Sequence, residues 1–472
     1  MKREVYMKKK VLSIFLGAAM VMSMLMGCGS SVTTGTSAGG TGSSSAGAEV
    51  TDASAAAAEA STVPDVNKDG TYNNPLAASV PEGNLKFWSL FSGGDGEWFN
   101  SIVDDYNKTQ SPENPVTPIM LVWADYYTKL QTAVATGNGP DIGVSHVSKL
   151  YELAQTGVVQ PIDDYLKQLG INLSDYYSKE SIDAVTVDGK IYAIPLDTHA
   201  EVMYYNLDLL QKAGITEADV KNVKSADDFN ALLEKCKGLG DDITPLAMTN
   251  SGDDPFRIWY ATYFQMGGSD FVNDGATEDT LDVDKAKAAM EYVKGLWDKG
   301  YILPGIDDHA AYFQSGKAAF VFAGTWVTGT FSDTDGLNYN NACFPSLFNG
   351  NSQCWADSHT LILPVNKKRT DKETLQAVKF MFYASNNGGI TWAGSGQIPA
   401  SKTANQSADY KKLKGYNVVD ELKYAKYAPK ATQYYGGIKA DMIDALNGYW
   451  QGTTDENAAI AALQQAIDNN LD

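Results

Sequence analysis

Arginine is nearly missing from this chain: Arg3, Arg257 and Arg369 are the only ones in 472 residues. Ligands that are clamped through a bidentate guanidinium fork, carboxylates and phosphates above all, therefore have few residues to hold them. Histidine is almost as scarce, with four. His146, His199, His309 and His359 stand far apart and outside any HExxH or HxH spacing, so no metal site is expected. The four cysteines form no CxxC pair and no Cys/His zinc pattern. A phosphate loop is lacking too, because Ser315-Gly316-Lys317-Ala318 has neither the upstream glycine nor a hydroxyl residue after the lysine. Positive charge is the last deficit. Against 37 basic residues stand 57 acidic ones, a formal net charge of −20, which makes nucleic acid and anionic headgroups poor partners. With so many carboxylates a glycosidase-like pair is imaginable anywhere and none is singled out.

Long apolar runs are also few. The one near the start, Val11 to Met26, is interrupted by Ser13, Gly17 and Ser23 and follows Lys8, Lys9 and Lys10. It is short for a bilayer span and has the charge and length of a secretory signal. Leu25-Met26-Gly27-Cys28 closes it and resembles the bacterial lipoprotein box, with Met26 a departure from the usual pattern. That resemblance implies cleavage after residue 27 and diacylation of Cys28, the lipid attachment site, and so a membrane-anchored protein on the outer face of the cell membrane. The alternative is an ordinary signal peptide and an unmodified Cys28 thiol. Met7, just before the lysines, is a second candidate start. Cleavage would remove five basic residues and one acidic one, deepening the net charge from −20 to −24.

Residues 29–63 are almost wholly Ser, Gly, Thr and Ala, a composition that buries too little apolar surface to offset its ordering entropy. Residues 28–81 are expected to be a lipidated, flexible linker. Gly35-Thr36-Ser37-Ala38-Gly39 matches GxSxG by chance, without the strand and helix a nucleophile elbow needs. Asp65 to Gly70 opens like a calcium loop, but Leu76 stands where the bidentate glutamate belongs, so a polar turn is the expectation. Of the other cysteines, Cys343 and Cys354 flank a Pro/Gly/Asn-rich loop. They suit a local disulfide or two separate thiols equally well.

From Glu82 onward the composition is globular, and about 390 residues exceed a single core and suit two lobes. Strand-like and helix-like segments alternate: Leu85–Leu90, Trp98–Lys108, Val116–Val122, Tyr126–Thr136 and Ile142–Ser145. This predicts an α/β fold with a largely parallel sheet. Apolar residues at helical spacing predict later helices over Asp284–Lys299, Lys372–Ser385, Gly437–Asn447 and Asn457–Asn469. Trp297 and Trp450 fall within or at the end of these helices and are expected to pack. At the first strand's end, Phe91-Ser92-Gly93-Gly94-Asp95 offers small and polar residues where open sheets bind ligands. Ser92 and Asp95 serve there as helix caps or as ligand contacts.

Six segments in order, FWSLFSGGDGEWFNSIVDDYN at 87–107, ADYYTKLQTAVATGNGPDI at 124–142, GKIYAIPLDTHAEVMYYNLDLLQKAGI at 189–215, GKAAFVFAGTWV at 316–327, WADSHTLILPVN at 355–366 and GSGQIPASK at 394–402, resemble the bacterial extracellular solute-binding proteins of family 1. These are the maltose-binding-protein-like sugar receptors of ABC importers. The resemblance implies a two-lobed α/β fold of the periplasmic-binding-protein kind with two crossing hinge segments, near Pro195–Thr198 and Trp355–His359. Lobe 1 would comprise 82–196 plus 358–408, and lobe 2 would comprise 197–357 plus 409–472.

Sugar rings offer C–H faces to aromatic rings and hydroxyls to polar side chains. The resemblance places a stacking residue at Trp326, with Trp355, Trp392, Trp88, Trp123, Tyr434 and Tyr435 as further candidate rings. Polar candidates are Asp95, Asp125, His146, Asp197, His199, Asp357 and His359, the histidines of the crossings being equally suited to a structural role. Any of the rings would serve as well in a core. The implied partners are a carbohydrate, favouring an oligosaccharide, and the permease subunits of an ABC transporter; the expected state is a monomer needing no cofactor. A surface glycoside hydrolase and a receptor of the same fold for a peptide or other solute are the competing readings.

Overall fold

The computed structural model describes residues 83–472 apart from Asp274. The leader, Cys28, the linker, the GxSxG match and the Asp65–Gly70 turn lie outside the described residues.

The first sheet starts with β1 (Leu85–Ser89), β2 (Val116–Met120) and β3 (Ile142–His146), paired in parallel in the order β2-β1-β3. Helices α1 (Asp95–Gln110) and α2 (Trp123–Ala135) make the crossovers, and α3 (Val147–Gln155) follows β3. β1 is covered on both faces, so Leu85, Phe87 and Trp88 are all buried rather than alternating. In α1, Phe99, Ile102, Val103 and Tyr106 recur at helical spacing and form its buried face. The helix stops at Ser111, whose φ of 40° leaves the helical region.

The chain then passes between sheets. β4 (Ala193–Pro195) belongs to the first sheet, and after Leu196 alone β5 (Asp197–Asn206) becomes the central strand of the second. The second sheet also holds β6 (Thr244–Ala247), β7 (Ala318–Gly324), β8 (Tyr339–Ala342) and β9 (Cys354–Asp357). After Ser358 the chain returns as β10 (His359–Ile362), inserted between β3 and β4. A further short strand, Ile398–Pro399, pairs with Asp197 and Thr198 at the same place.

Parallel pairing is thus confined to the β2-β1-β3 layer, the β6–β7 pair and the short Ala425–Lys426 strand on β9. β10 runs antiparallel to both its neighbours, and β5 runs antiparallel to β7, β8 and β9. The largely parallel expectation fails here because a strand that comes back from the other sheet enters with reversed direction, whereas a helix crossover preserves it.

Two hydrophobic cores result. One gathers residues from Leu85 to Leu196 with Leu361 to Trp392, and the other gathers Ala200 to Ala356 with Val418 to Ile467. The later helices run over Val283–Asp298, Asp371–Asn386, Lys439–Trp450 and Glu456–Asp468. Side chains of Asp282, Thr370 and Asp455 accept from backbone N–H groups and set three of the starts, Thr370 in a capping box with Glu373. Trp297 and Trp450 pack together at 6.1 Å between ring centres. No described helix is long and apolar enough to cross a membrane.

Candidate functional site

Sheet register brings distant residues together at the crossings. β10 lies against β3 so that His359 pairs with His146, and β9 lies against β5 so that Asp357 pairs with His199. Asp197, the first residue of β5, sits among them. One of its oxygens accepts from the His359 backbone N–H at 3.0 Å and contacts His199 Nδ1 at 3.3 Å. The other contacts His359 Nδ1 at 2.9 Å and accepts from Trp392 Nε1 at 2.7 Å. The rings of His199 and His359 are 4.1 Å apart, and that of His146 lies 4.9 Å from His359 and 5.3 Å from His199. One ring nitrogen from each of the three lies within 4.8 Å of the other two. Residues that the sequence scatters, and for which no metal pattern was evident, are therefore one buried cluster.

Burial disfavours charge throughout this cluster, and the three rings respond differently. His146 and His199 are held below the usual imidazole range by burial and by the neighbouring His359. At His359 the burial penalty is overcome by the charge and hydrogen bond of Asp197, which raise it. Asp197 stays well below the ordinary carboxylate range despite burial, because His359 and the bonds from both histidines favour its anion. Asp95, at the start of α1, is pushed up to about 6 by burial, with His359 lowering and Asp197 raising it. No side chain caps that helix, whose cap residue is Gly94. Asp95 is accordingly a buried carboxyl facing the cluster, and Ser92 is exposed.

The second sheet supplies an aromatic wall. Trp326 and Trp355 stand at right angles, 6.3 Å between ring centres, each just under 6 Å from His199. The Arg257 guanidinium lies 5.0 Å from the Trp326 ring and 4.8 Å from the Trp355 ring. It is 3.9 Å from Glu201 and 3.5 Å from Asp254, and Asp254 also meets His309 at 2.8 Å. Burial lifts the Glu201 carboxyl to about 7 against the pull of Arg257 and His309. Arg257 and Glu201 were not singled out as site residues. The available signal was a charge set inside an apolar strand, Glu201 in HAEVMYYN, and inside an aromatic helix, Arg257 in FRIWY. Gly324 permits the geometry, since a Cβ there would lie 1.9 Å from the Trp326 ring. The other arginine of the body, Arg369, bonds to the carbonyls of Asp141 and Pro364 and is structural.

The other candidates separate. Trp88 and Trp392 lie inside the first core and Trp355 and Tyr434 inside the second, so none of the four presents an open ring face. Trp392 touches the cluster by its N–H to Asp197 and by an edge-on ring contact with His359, 6.4 Å between ring centres. Trp123 is 38% exposed, with Lys439 of the second lobe's helix 5.9 Å from its ring. Asp125 is exposed and pairs with Lys129 one turn on. Asp357 accepts from the N–H and hydroxyl of Ser148 and so ties β9 to the start of α3. The side chain of Tyr435 lies outside the described residues. The disulfide alternative is corrected: Cys343 and Cys354 are free, and the buried Glu421 carboxyl, which accepts from the Phe344 backbone N–H, acts on both thiols. A surface cavity of about 580 Å³ lined by Val220, Lys224, Asn340, Phe344 and Asn417 is made by other residues than these.

Residues 101–417 match the family model described as bacterial extracellular solute-binding protein. The chain is 25% identical to the maltodextrin-binding protein of Bacillus subtilis, covering 79% of this chain and 87% of that protein. It is equally similar, over the same shares, to a maltooligosaccharide ABC transporter solute-binding lipoprotein of Streptococcus pneumoniae. Among solved structures, the GacH receptor of Streptomyces glaucescens, determined unliganded and with acarbose, aligns with a TM-score of 0.72 at 18% identity, covering 82% of this chain and 98% of that one. A Listeria monocytogenes ABC substrate-binding protein in complex with cycloalternan aligns at 0.70 and 19%, over the same shares. Two sheets joined by crossing strands, with polar and aromatic residues gathered where they cross, are thus accompanied by a sequence match over most of the body, and the chain belongs to the bacterial extracellular solute-binding protein family.

Proposed function

We propose that the protein captures a carbohydrate, with an oligosaccharide favoured, between lobes of 82–196 plus 358–408 and 197–357 plus 409–472, and delivers it to an ABC permease. The observation that carries this reading is the Trp326–Trp355 pair, set at right angles beside Arg257 and His199. Trp326, half-buried and backed at right angles by the buried Trp355, offers a ring face to sugar C–H groups, and its charged neighbours offer partners to sugar hydroxyls. The sugar-binding relatives support it. Closure of the lobes about the crossings holds the ligand, and no bond is made or broken. Lipid on Cys28 and the residues 29–63 keep the receptor beside its permease and raise its local concentration there. Trp123, exposed and facing Lys439, extends the binding surface.

A thermal-shift series with glucose, maltose and longer malto-oligosaccharides tests this, because a ligand bound only to the native state raises apparent stability, by about 4 kcal/mol at a thousandfold excess over Kd. Stabilisation that grows with chain length is expected. Stabilisation by peptides or polyamines and by no sugar sinks the carbohydrate reading, and release of shorter sugars from an oligosaccharide sinks the receptor reading in favour of a hydrolase.

A further inference from the structure

We propose that His146, His199 and His359 form a binding site for a divalent transition metal, zinc being the best match, at the point where the chain crosses between its two sheets. Imidazole nitrogen suits zinc, copper and nickel, whereas magnesium and calcium take oxygen. Three histidines leave one position open on a tetrahedral ion.

Placement and orientation both argue for the site. One ring nitrogen from each histidine already lies within 4.8 Å of the others. A tetrahedral zinc ion with bonds of about 2.0–2.1 Å holds its nitrogen ligands roughly 3.4 Å apart. Nδ1 of His199 and of His359 is held by the two oxygens of Asp197, and Nδ1 of His146 meets the Tyr127 hydroxyl at 2.6 Å. Metal-ligating histidines are oriented in this way, by a carboxylate or other acceptor on the second nitrogen. Ligation is thereby assigned to Nε2. Among the described residues, Nε2 of His199 and of His359 has no hydrogen-bond partner. Asp197 and Asp357 both act electrostatically on His199 and His359, so a dication would enter a field of negative charge.

The consequence is mechanical as well as chemical. His146 and His359 belong to the first sheet and His199 to the second, so one ion would pin both crossings.

The untagged full chain, stripped with a chelator and titrated with zinc chloride or cobalt chloride alone, provides the test. One equivalent per chain and a tetrahedral cobalt spectrum of nitrogen rather than thiolate character are expected. His199→Gln and His359→Gln should each abolish stoichiometric binding, and Asp197→Asn should weaken it about 10- to 100-fold. Tyr127→Phe, a milder change that removes the hydroxyl bonded to the His146 ring and to the His146 backbone N–H, should weaken binding in the same direction and serves if the histidine variants do not fold. No stoichiometric metal, a thiolate spectrum, or equal affinity in the folded variants overturns the proposal. None of these results depends on sugar binding, which is read separately on the stripped protein.

Discussion

Asp197 and His359, 162 residues apart, meet twice: the backbone N–H of His359 donates to one carboxylate oxygen at 3.0 Å and its ring Nδ1 lies 2.9 Å from the other. Asp197 opens β5 and His359 opens β10, so this pair fastens the outgoing crossing to the returning one. An ionised carboxylate only accepts, so the ring presents Nδ1–H to it.

Removing the carboxylate should therefore be costly. Asp197→Ala leaves the His359 N–H, two ring nitrogens and the Trp392 N–H without their acceptor inside a buried site, and breaking such a pair costs about 3–5 kcal/mol. Chemical denaturation of wild type and variant should show a loss of that order. A loss under about 1 kcal/mol would mean that the crossings are held by other contacts.

Tryptophans of the two environments should fail differently. Trp88→Ala opens a hole in the first core and should cost about 3–5 kcal/mol of stability. Trp326→Ala, half-buried at the wall, should leave the fold near its normal stability and weaken oligosaccharide binding at least tenfold, about 1.4 kcal/mol. Calorimetry and melting curves on both variants separate the two effects; unchanged sugar affinity in Trp326→Ala would remove it from the site.

Gly324→Ala should act through Trp326. The added methyl would lie 1.9 Å from the ring, so the indole must swing off the wall. Sugar affinity should fall by as much as in Trp326→Ala while β7 stays formed, which circular dichroism together with calorimetry would register.

Glu421 should make stability fall as pH rises. Burial lifts its carboxyl to about 7 from an ordinary 4.5, against hydrogen bonds from Cys343, Cys354 and the Phe344 N–H. A folded-state value above the unfolded one gives stability that is complete below about pH 4.5 and is lost as pH rises through 7. At ~1.36 kcal/mol per unit the change attributable to this group is on the order of 3 kcal/mol. Glu421→Gln should flatten that part of the curve, measured as denaturation midpoints between pH 4.5 and 8; an unchanged slope would assign it to other groups.

Much of the body was legible because it rests on local pattern. The run of apolar residues in β1 and the helical spacing of Phe99, Ile102, Val103 and Tyr106 act over a few residues, and such patterns placed strands and helices to within a few positions. The ordered motifs carried the family. Trp88, Trp326 and Trp392, however, look alike in one dimension: each follows or opens a turn-rich segment, and only packing decides that Trp88 and Trp392 are core and Trp326 is wall.

What the sequence by itself determined, then, was the class of fold, the two-lobed division of labour as an expectation, and the acidic, arginine-poor character of the surface. Tertiary structure alone decided that His146, His199 and His359 share one carboxylate neighbourhood, that Glu201 and Arg257 stand beside the tryptophans, and that Cys343 and Cys354 remain unpaired thiols. The reason is physical. Local propensity and periodicity fix elements over about ten residues, whereas these sites depend on which strand pairs with which and in what register. That is settled by burial summed over the whole chain.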